Sequence, residues 1–182
     1  MYQAVFLDRD GVINRERSDY VKSWTEFEFL PHALPALARL ATLDCPILVA
    51  SNQSAIGRGL VTSETIADIH KRLSIRVVKE GGRIDGFYVC PHRPDEGCNC
   101  RKPRPGLLLQ AAQELNLDLS RCVFVGDSIT DLRAAEAAGC ECILVRSGRR
   151  SLNHSEITER HRDIVIENDL AAAVSAILGR DI

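Results

Sequence analysis

Two carboxylates two residues apart, Asp8 and Asp10, followed at once by Gly11, are the first chemistry this chain offers. They come after an apolar run, Ala4-Val5-Phe6-Leu7, that predicts a buried strand. Gly11 predicts that the strand stops and the chain turns, which sets both carboxyls over the strand's carboxyl end. Open α/β sheets bind their ligands at that edge. Two acids so close repel each other unless a cation or a shared proton compensates. A hard divalent ion such as Mg2+, held by one or two carboxylates together with substrate phosphate, fits that need. Taken alone, the same residues also read as a plain surface turn.

Later strand ends repeat the pattern. Pro46-Ile47-Leu48-Val49-Ala50 is an apolar run that ends at Ser51-Asn52-Gln53-Ser54, whose hydroxyl and amide groups suit phosphate oxygens. Cys122-Val123-Phe124-Val125 ends at Gly126-Asp127, with Asp131 at the start of a helix. Asp127 repeats the placement of Asp8, whereas Asp131 also fits an ordinary acidic first turn.

A second constellation is made of thiols. Cys90-Pro91-His92 and Cys98-Asn99-Cys100 bring three thiols and one imidazole together, enough to close a tetrahedral Zn2+ site. Four protein ligands leave no open position, so such an ion is structural. Arg101-Lys102-Pro103-Arg104-Pro105 follows without a break and holds positive charge on a stiff stretch. The chain has 7 cysteines, an odd number with no secretion signal, which speaks against a disulfide framework. Cys45, Cys122, Cys140 and Cys142 sit in apolar contexts as small core residues.

The elements that must position these groups alternate in type. Residues 12–29 read as a loop or short hairpin arching over the first strand end. Pro31 reads as the opening of a helix with Leu34, Leu37, Ala38 and Ala41 on its apolar side. Thr62 or Ser63 caps a helix with a stripe of Ile66, Ile69, Leu73 and Val77, ended by Gly81-Gly82. A third strand covers 86–89, and a helix over 106–115 carries Leu108, Ala111, Ala112 and Leu115. Gly139 stops the helix begun near Asp131, and 141–145 is a fifth strand. Residues 147–162 read as loop, 164–166 as a last short strand and 169–178 as the closing helix. Strands alternating with helices predict an α/β fold, a Rossmann-like three-layer sandwich around a central parallel sheet. Its length of 182 residues suits a single domain, 1–182, with no large cap. A net charge of −2 gives no global attraction to nucleic acid or membrane. No basic-then-apolar leader and no membrane-length apolar run is present, so a cytoplasmic protein is expected.

Taken in order, Asp8-x-Asp10-Gly11, Ser51-Asn52, Lys102 and Gly126-Asp127-x-x-x-Asp131 resemble the four motifs of the haloacid dehalogenase superfamily of phosphatases. Phe6-Leu7-Asp8-Arg9-Asp10-Gly11, Ser51-Asn52-Gln53-Ser54, the Cys3His loop and Cys100-Arg101-Lys102-Pro103 narrow the resemblance. They are similar to the bacterial D-glycero-D-manno-heptose 1,7-bisphosphate 7-phosphatases, with the histidinol-phosphate phosphatase branch beside them. The resemblance implies a Mg2+-dependent phosphoric monoester hydrolase in nucleotide-activated heptose biosynthesis, for lipopolysaccharide or another surface glycan. It implies Asp8 as nucleophile and Asp10 as general acid and base. Mg2+ falls to Asp8, Asp127 and the Asp10 backbone carbonyl. Ser51 and Lys102 would take the phosphoryl oxygens. Glu16, Asp19, Tyr20, Asn52, Gln53, Ser54 and Arg101 would contact the sugar or its retained phosphate. Asp131 is expected to support the metal site or Lys102. The expected partner is a small phosphorylated sugar met by a monomer, with no nucleic acid and no membrane. The short spacing from His92 to Cys98 keeps a histidinol-phosphate phosphatase, or a phosphatase for another small sugar phosphate, in view. A zinc clip for a protein or nucleic-acid partner on an inert domain is the non-enzymatic alternative.

Overall fold

The computed structural model describes residues 2–148 and 164–180. Its strands are β1 (Ala4–Leu7), β2 (Ile47–Asn52), β3 (Gly86–Cys90), β4 (Cys122–Gly126), β5 (Glu141–Val145) and β6 (Val165–Glu167). They form one sheet in the order β3-β2-β1-β4-β5-β6, and every neighbouring pair is parallel. Parallel neighbours need long crossovers. These carry α1 (Ala33–Leu40), α2 (Ser63–Lys79), α3 (Gly106–Leu115) and α4 (Ile129–Ala138), and α5 (Leu170–Arg180) closes the fold.

The central strands are continuous apolar runs because helices cover both faces. Successive side chains point to opposite sides. Val5, Leu7, Ile47, Val49, Val123 and Val125 pack with Leu37 and Leu40 of α1, Leu73 and Val77 of α2, and Val174 and Ile177 of α5. Phe6, Leu48, Phe124 and Leu144 face the other way, onto Leu107 and Leu108 of α3 and Leu132 and Ala135 of α4. Each large side chain so buried contributes roughly 1.5–3 kcal/mol.

The chain runs outward from β1 to β3, crosses back to lay β4 beside β1, and continues outward to β6. This reversal between β1 and β4 is the switch point at which open sheets bind ligands. Register then places the acids: Leu7 pairs with Val125, and the Asp8 N–H donates to the Val125 carbonyl at 2.9 Å. Asp8 and Asp127 therefore leave adjacent strand ends on the same edge.

The described residues differ from the expected elements at several places, among them β2, which runs on through Ser51 to Asn52, and β3, which runs on to Cys90. Helix α1 begins at Ala33, because His32 adopts a left-handed conformation (φ 63°) and leaves Pro31 in the preceding turn. Its buried stripe is consequently Ala33, Ala36, Leu37 and Leu40, with Leu34 and Ala38 half-buried. In α3 the buried residues are Leu107, Leu108 and Ala111, while Leu115 is exposed. Left-handed Asn116 turns the chain there and brings Leu117 to the core instead. Ile164 precedes β6, which begins at Val165. Most of the expected 147–162 loop lies outside the described residues. Segment 12–29 is indeed an arch, with a single 3-10 turn (Trp24–Glu26) and one bridge from Asn14 to Phe29. Among the described residues, no helix is long and apolar enough to cross a membrane.

Candidate active site

The carboxyl edge of the sheet opens into a cleft of about 640 Å³. Asp8, Asp10, Ser51, Lys102, Asp127 and Asp131 all line it, contributed by four separate chain segments. At its floor Lys102 is buried, with its Nζ over the Phe124 ring, 5.2 Å from the centroid, and donating to the Ala50 carbonyl at 2.9 Å. The same Nζ lies 3.0 Å from Asp8 Oδ1 and 2.7 Å from Asp131 Oδ1. Burial works against the lysine's charge, but Asp131 and Asp8 outweigh it and push its pKa above the ordinary value. Asn52 fixes the lysine's backbone: its Oδ1 accepts from the Lys102 N–H and its Nδ2 donates to the Lys102 carbonyl, both at 3.1 Å.

Asp8 and Asp10 differ sharply in surroundings despite their spacing. Burial pushes Asp8 up to about 7, with the charges of Asp131 and Asp10 adding to it and Lys102 opposing. Burial also raises Asp10, but the Arg9 guanidinium and the amides of Asn14 and Gln53 outweigh it, so Asp10 stays below the usual carboxylate range. Arg9 Nη2 straddles both Asp10 oxygens at 3.0 and 2.9 Å. Asn14 Nδ2 and Gln53 Nε2 each donate to one of them at 2.8 Å. Gln53 Nε2 also donates to Ser51 Oγ at 2.8 Å, which sets the hydroxyl.

Asp127 is pushed up to about 9, first by burial and then by Asp8 and Asp131. Gly11 and Gly148 flank its carboxyl so closely that a Cβ on either would fall 2.1 or 1.9 Å from Asp127 Oδ2. Asp131 Oδ2 in turn accepts from the N–H groups of Asp127 and Ser128 at 3.1 Å, tying the β4 turn to the start of α4. One oxygen from each of Asp8, Asp127 and Asp131 lies within 4.8 Å of the others. Three acids against one lysine leave the cluster short of positive charge, and hard oxygen donors suit a divalent cation such as Mg2+. The donor set fits that ion.

The thiol cluster is built locally. Cys90, at the end of β3, has its Sγ 3.6 Å from His92 Nδ1 and 3.7 Å from Cys98 Sγ. Cys100 Sγ lies 3.3 Å from His92 Nδ1 and 3.6 Å from Cys98 Sγ. A tetrahedron with metal–sulfur bonds of about 2.3 Å has edges of roughly 3.8 Å, so the four donors fit Zn2+. The sulfur separations are far beyond a disulfide bond, and all seven cysteines are free thiols. Cys45, Cys122, Cys140 and Cys142 are buried.

Other expected contacts divide. Glu16, Tyr20, Ser54 and Arg101 line the cleft. Arg101 also donates to the His92 carbonyl at 3.2 Å, bracing the thiol loop. Asn52 and Gln53 line the cleft too, yet their amides are engaged with Lys102, Asp10 and Ser51, which makes them positioning groups. Asp19 is not brought to the cleft, because its carboxylate turns away to Lys22 at 2.7 Å and Arg17 at 3.1 Å. Sequence reading missed Arg9, fully buried at the strand end, and Asn14 and His70 beside it. An arginine between two acids was a signal for the first; nothing local marked His70.

This fold and edge define a class. The HAD-hydrolase-like family model matches residues 99–173. The chain is 43% identical over 176 residues to the D-glycero-beta-D-manno-heptose-1,7-bisphosphate 7-phosphatase of Pseudomonas aeruginosa, covering 96% of this chain and 97% of that protein. It is 42% identical over 153 residues to the D-glycero-alpha-D-manno-heptose-1,7-bisphosphate 7-phosphatase of Mycobacterium tuberculosis, covering 81% and 80%. The crystal structure of D,D-heptose 1,7-bisphosphate phosphatase from B. bronchiseptica, complexed with magnesium and phosphate, superposes with a TM-score of 0.90 at 39% identity, covering 98% of this chain and 99% of that one. The chain belongs to the D,D-heptose 1,7-bisphosphate phosphatase family of haloacid dehalogenase-like hydrolases. It is a phosphoric monoester hydrolase.

Proposed function

We propose that this chain removes the 7-phosphate of D-glycero-D-manno-heptose 1,7-bisphosphate in the supply of activated heptose for lipopolysaccharide or another surface glycan. One observation carries the catalytic reading: Lys102 Nζ sits between Asp8 and Asp131 at the cleft floor, with Asp10 held apart by its own cation. The relatives' named activity supports the choice of substrate.

Asp8 attacks the 7-phosphorus in line, forming an aspartyl-phosphate while the bond to the sugar oxygen breaks. Asp10 rests ionised against Arg9, and the negative charge of the bound phosphate raises its pKa, so that it takes up a proton from solvent and gives it to that departing oxygen. It then takes one from the water that attacks the aspartyl-phosphate, so inorganic phosphate leaves and Asp8 is regenerated. Ser51 and Lys102 hold the transferring oxygens, and positioning of this kind is most of phosphoryl-transfer catalysis. Asp8, Asp127 and the Asp10 carbonyl would hold Mg2+, whose charge offsets the repulsion between carboxylate and phosphate. Asp131 holds Lys102. Glu16, Tyr20, Ser54 and Arg101 would face the sugar and its retained phosphate, for which a guanidinium is suited.

Cys90, His92, Cys98 and Cys100 would hold a structural Zn2+ next to Lys102. We read the chain as one phosphatase domain, 1–182, acting as a cytoplasmic monomer on a small molecule, with no nucleic-acid or membrane partner. The test is Mg2+-dependent phosphate release from each anomer of heptose 1,7-bisphosphate and from histidinol phosphate, with Asp8→Asn as control. A preference for a heptose substrate of about 100-fold or more, absent in the control, is expected; preference for histidinol phosphate would overturn the substrate.

A further inference from the structure

Behind Asp10 lies a polar chain that leads away from the cleft. Arg9 is fully buried, and its Nη2 grips both Asp10 oxygens. Its Nη1 lies 3.3 Å from His70 Nε2, across a sequence separation of 61 residues. A guanidinium has donors and no acceptor, so this contact is a hydrogen bond only if Nε2 carries a lone pair. The ring must then be neutral with its proton on Nδ1. Burial, and after it the charge of Arg9, pushes His70 down to about 3, in keeping with a neutral ring. The imidazole is stacked on Phe87 of β3, with centroids 4.3 Å apart and planes 10° apart. Phe87 thus fixes the plane in which Nε2 can accept.

We propose that His70 is a positioning residue for Asp10, acting through Arg9. The imidazole orients the guanidinium, and the oriented guanidinium holds the acid–base carboxyl in one place. The sheet face at Phe87 and helix α2 thereby set a group in the cleft that neither touches. This goes beyond the reading of Asp10 as acid and base, and rests on it.

Three variants and one spectroscopic measurement test the assignment. His70→Phe keeps an aromatic ring over Phe87 and removes the acceptor, and His70→Met gives up the ring and leaves only a weak sulfur acceptor at lower bulk. His70→Gln restores an acceptor. With heptose 1,7-bisphosphate and Mg2+, kcat should fall about tenfold or more in the Phe and Met variants, with KM within about twofold of wild type. The Gln variant should recover at least half of the loss on a logarithmic scale. Equal kcat in all four proteins, or a Gln variant no better than Met, would overturn the proposal. Independently of turnover, 15N NMR of the wild-type protein should show His70 with an unprotonated Nε2 and a protonated Nδ1. A proton on Nε2 would overturn the proposal even if no substrate were turned over, whereas an inactive wild type with the expected tautomer would count against the substrate reading alone.

Discussion

The molecule holds two clusters with metal-ligand geometry, and they are built in opposite ways. The acid cluster takes Asp8, Asp127 and Asp131 from two strand ends and a helix start, with Asp8 more than a hundred residues from the other two, and the sheet's reversal brings them together. The thiol cluster takes Cys90 from the last position of β3 and His92, Cys98 and Cys100 from the loop that follows it. The first is held in a charge-deficient state by burial, with two of its carboxyls pushed far above their ordinary values. The second is a self-complete set of four soft donors. An unbalanced, hard cluster facing a cleft is suited to chemistry on an anion. A closed, soft one is suited to holding a loop still.

The hardest test of this contrast removes the nucleophile. Asp8→Asn should lower phosphate release by about 10⁴-fold or more, because the amide cannot form the aspartyl-phosphate. The fold should persist, since the amide retains an oxygen for the Arg9 N–H that now meets Asp8 Oδ1 at 2.7 Å. Circular dichroism and thermal unfolding would check the second half; a variant with appreciable turnover would sink the role given to Asp8.

The thiol cluster should fail differently. Cys98→Ala removes one of four donors, and the loop it anchors leads within two residues of Cys100 to Lys102. Asn52 still clasps Lys102, so the lysine should drift without being lost. A misplacement of about 1 Å costs on the order of 100-fold, and kcat should fall by roughly 10- to 100-fold. Bound zinc should fall from about one per chain to near none. Excess Mg2+ should restore wild-type protein treated with a mild chelator, yet leave this variant unchanged. Full activity in a zinc-free variant would show that the loop does not position the lysine.

How far each cluster was legible in the sequence follows from the same contrast. The thiol set lies within one short stretch, so spacing alone gave its members. The acid set was legible only as a recurrence, one acid or hydroxyl at each apolar run's end, because the parallel sheet turns that recurrence into proximity. What escaped is what tertiary packing alone decides. Arg9 meets His70 through the packing of α2 on the sheet, and no local pattern links them. Asn52 reads as a ligand group by its place after a strand, yet it is engaged by the backbone of Lys102 fifty residues on. The stripe of α1 shifted because a left-handed His32, not Pro31, sets where that helix begins.

A smaller effect should separate the clusters by the room around them. Gly148 comes against Asp127 so tightly that a methyl group would overlap its carboxyl. Overpacking of this kind costs about 1–3 kcal/mol. Gly148→Ala should therefore shift the Mg2+ concentration for half-maximal activity upward by about tenfold or more, with zinc content unchanged. A Mg2+ titration of phosphate release against metal analysis reads both. An unshifted Mg2+ curve would mean that the β5 exit loop does not shape the acid cluster.

The finest distinction concerns the buttress behind Asp10, beside the acid cluster, which the thiol loop lacks. His70 titrates near 6.5 when unfolded and about 3 when folded, so between those values the native state binds fewer protons than the unfolded chain. The stability this group contributes is present at neutral pH and falls as pH drops through that window. Between pH 6.5 and 4.5 the wild-type protein should lose roughly 2 kcal/mol more than His70→Gln. Urea unfolding at several pH values measures the difference. Acid also protonates the zinc thiolates and the cleft carboxylates, but it does so in both proteins, and those contributions cancel when the two curves are subtracted. What remains belongs to the imidazole. Parallel curves would mean that folded His70 takes up a proton as readily as in the unfolded chain, so that Arg9 does not hold the ring as an acceptor and Asp10 has no support from that side.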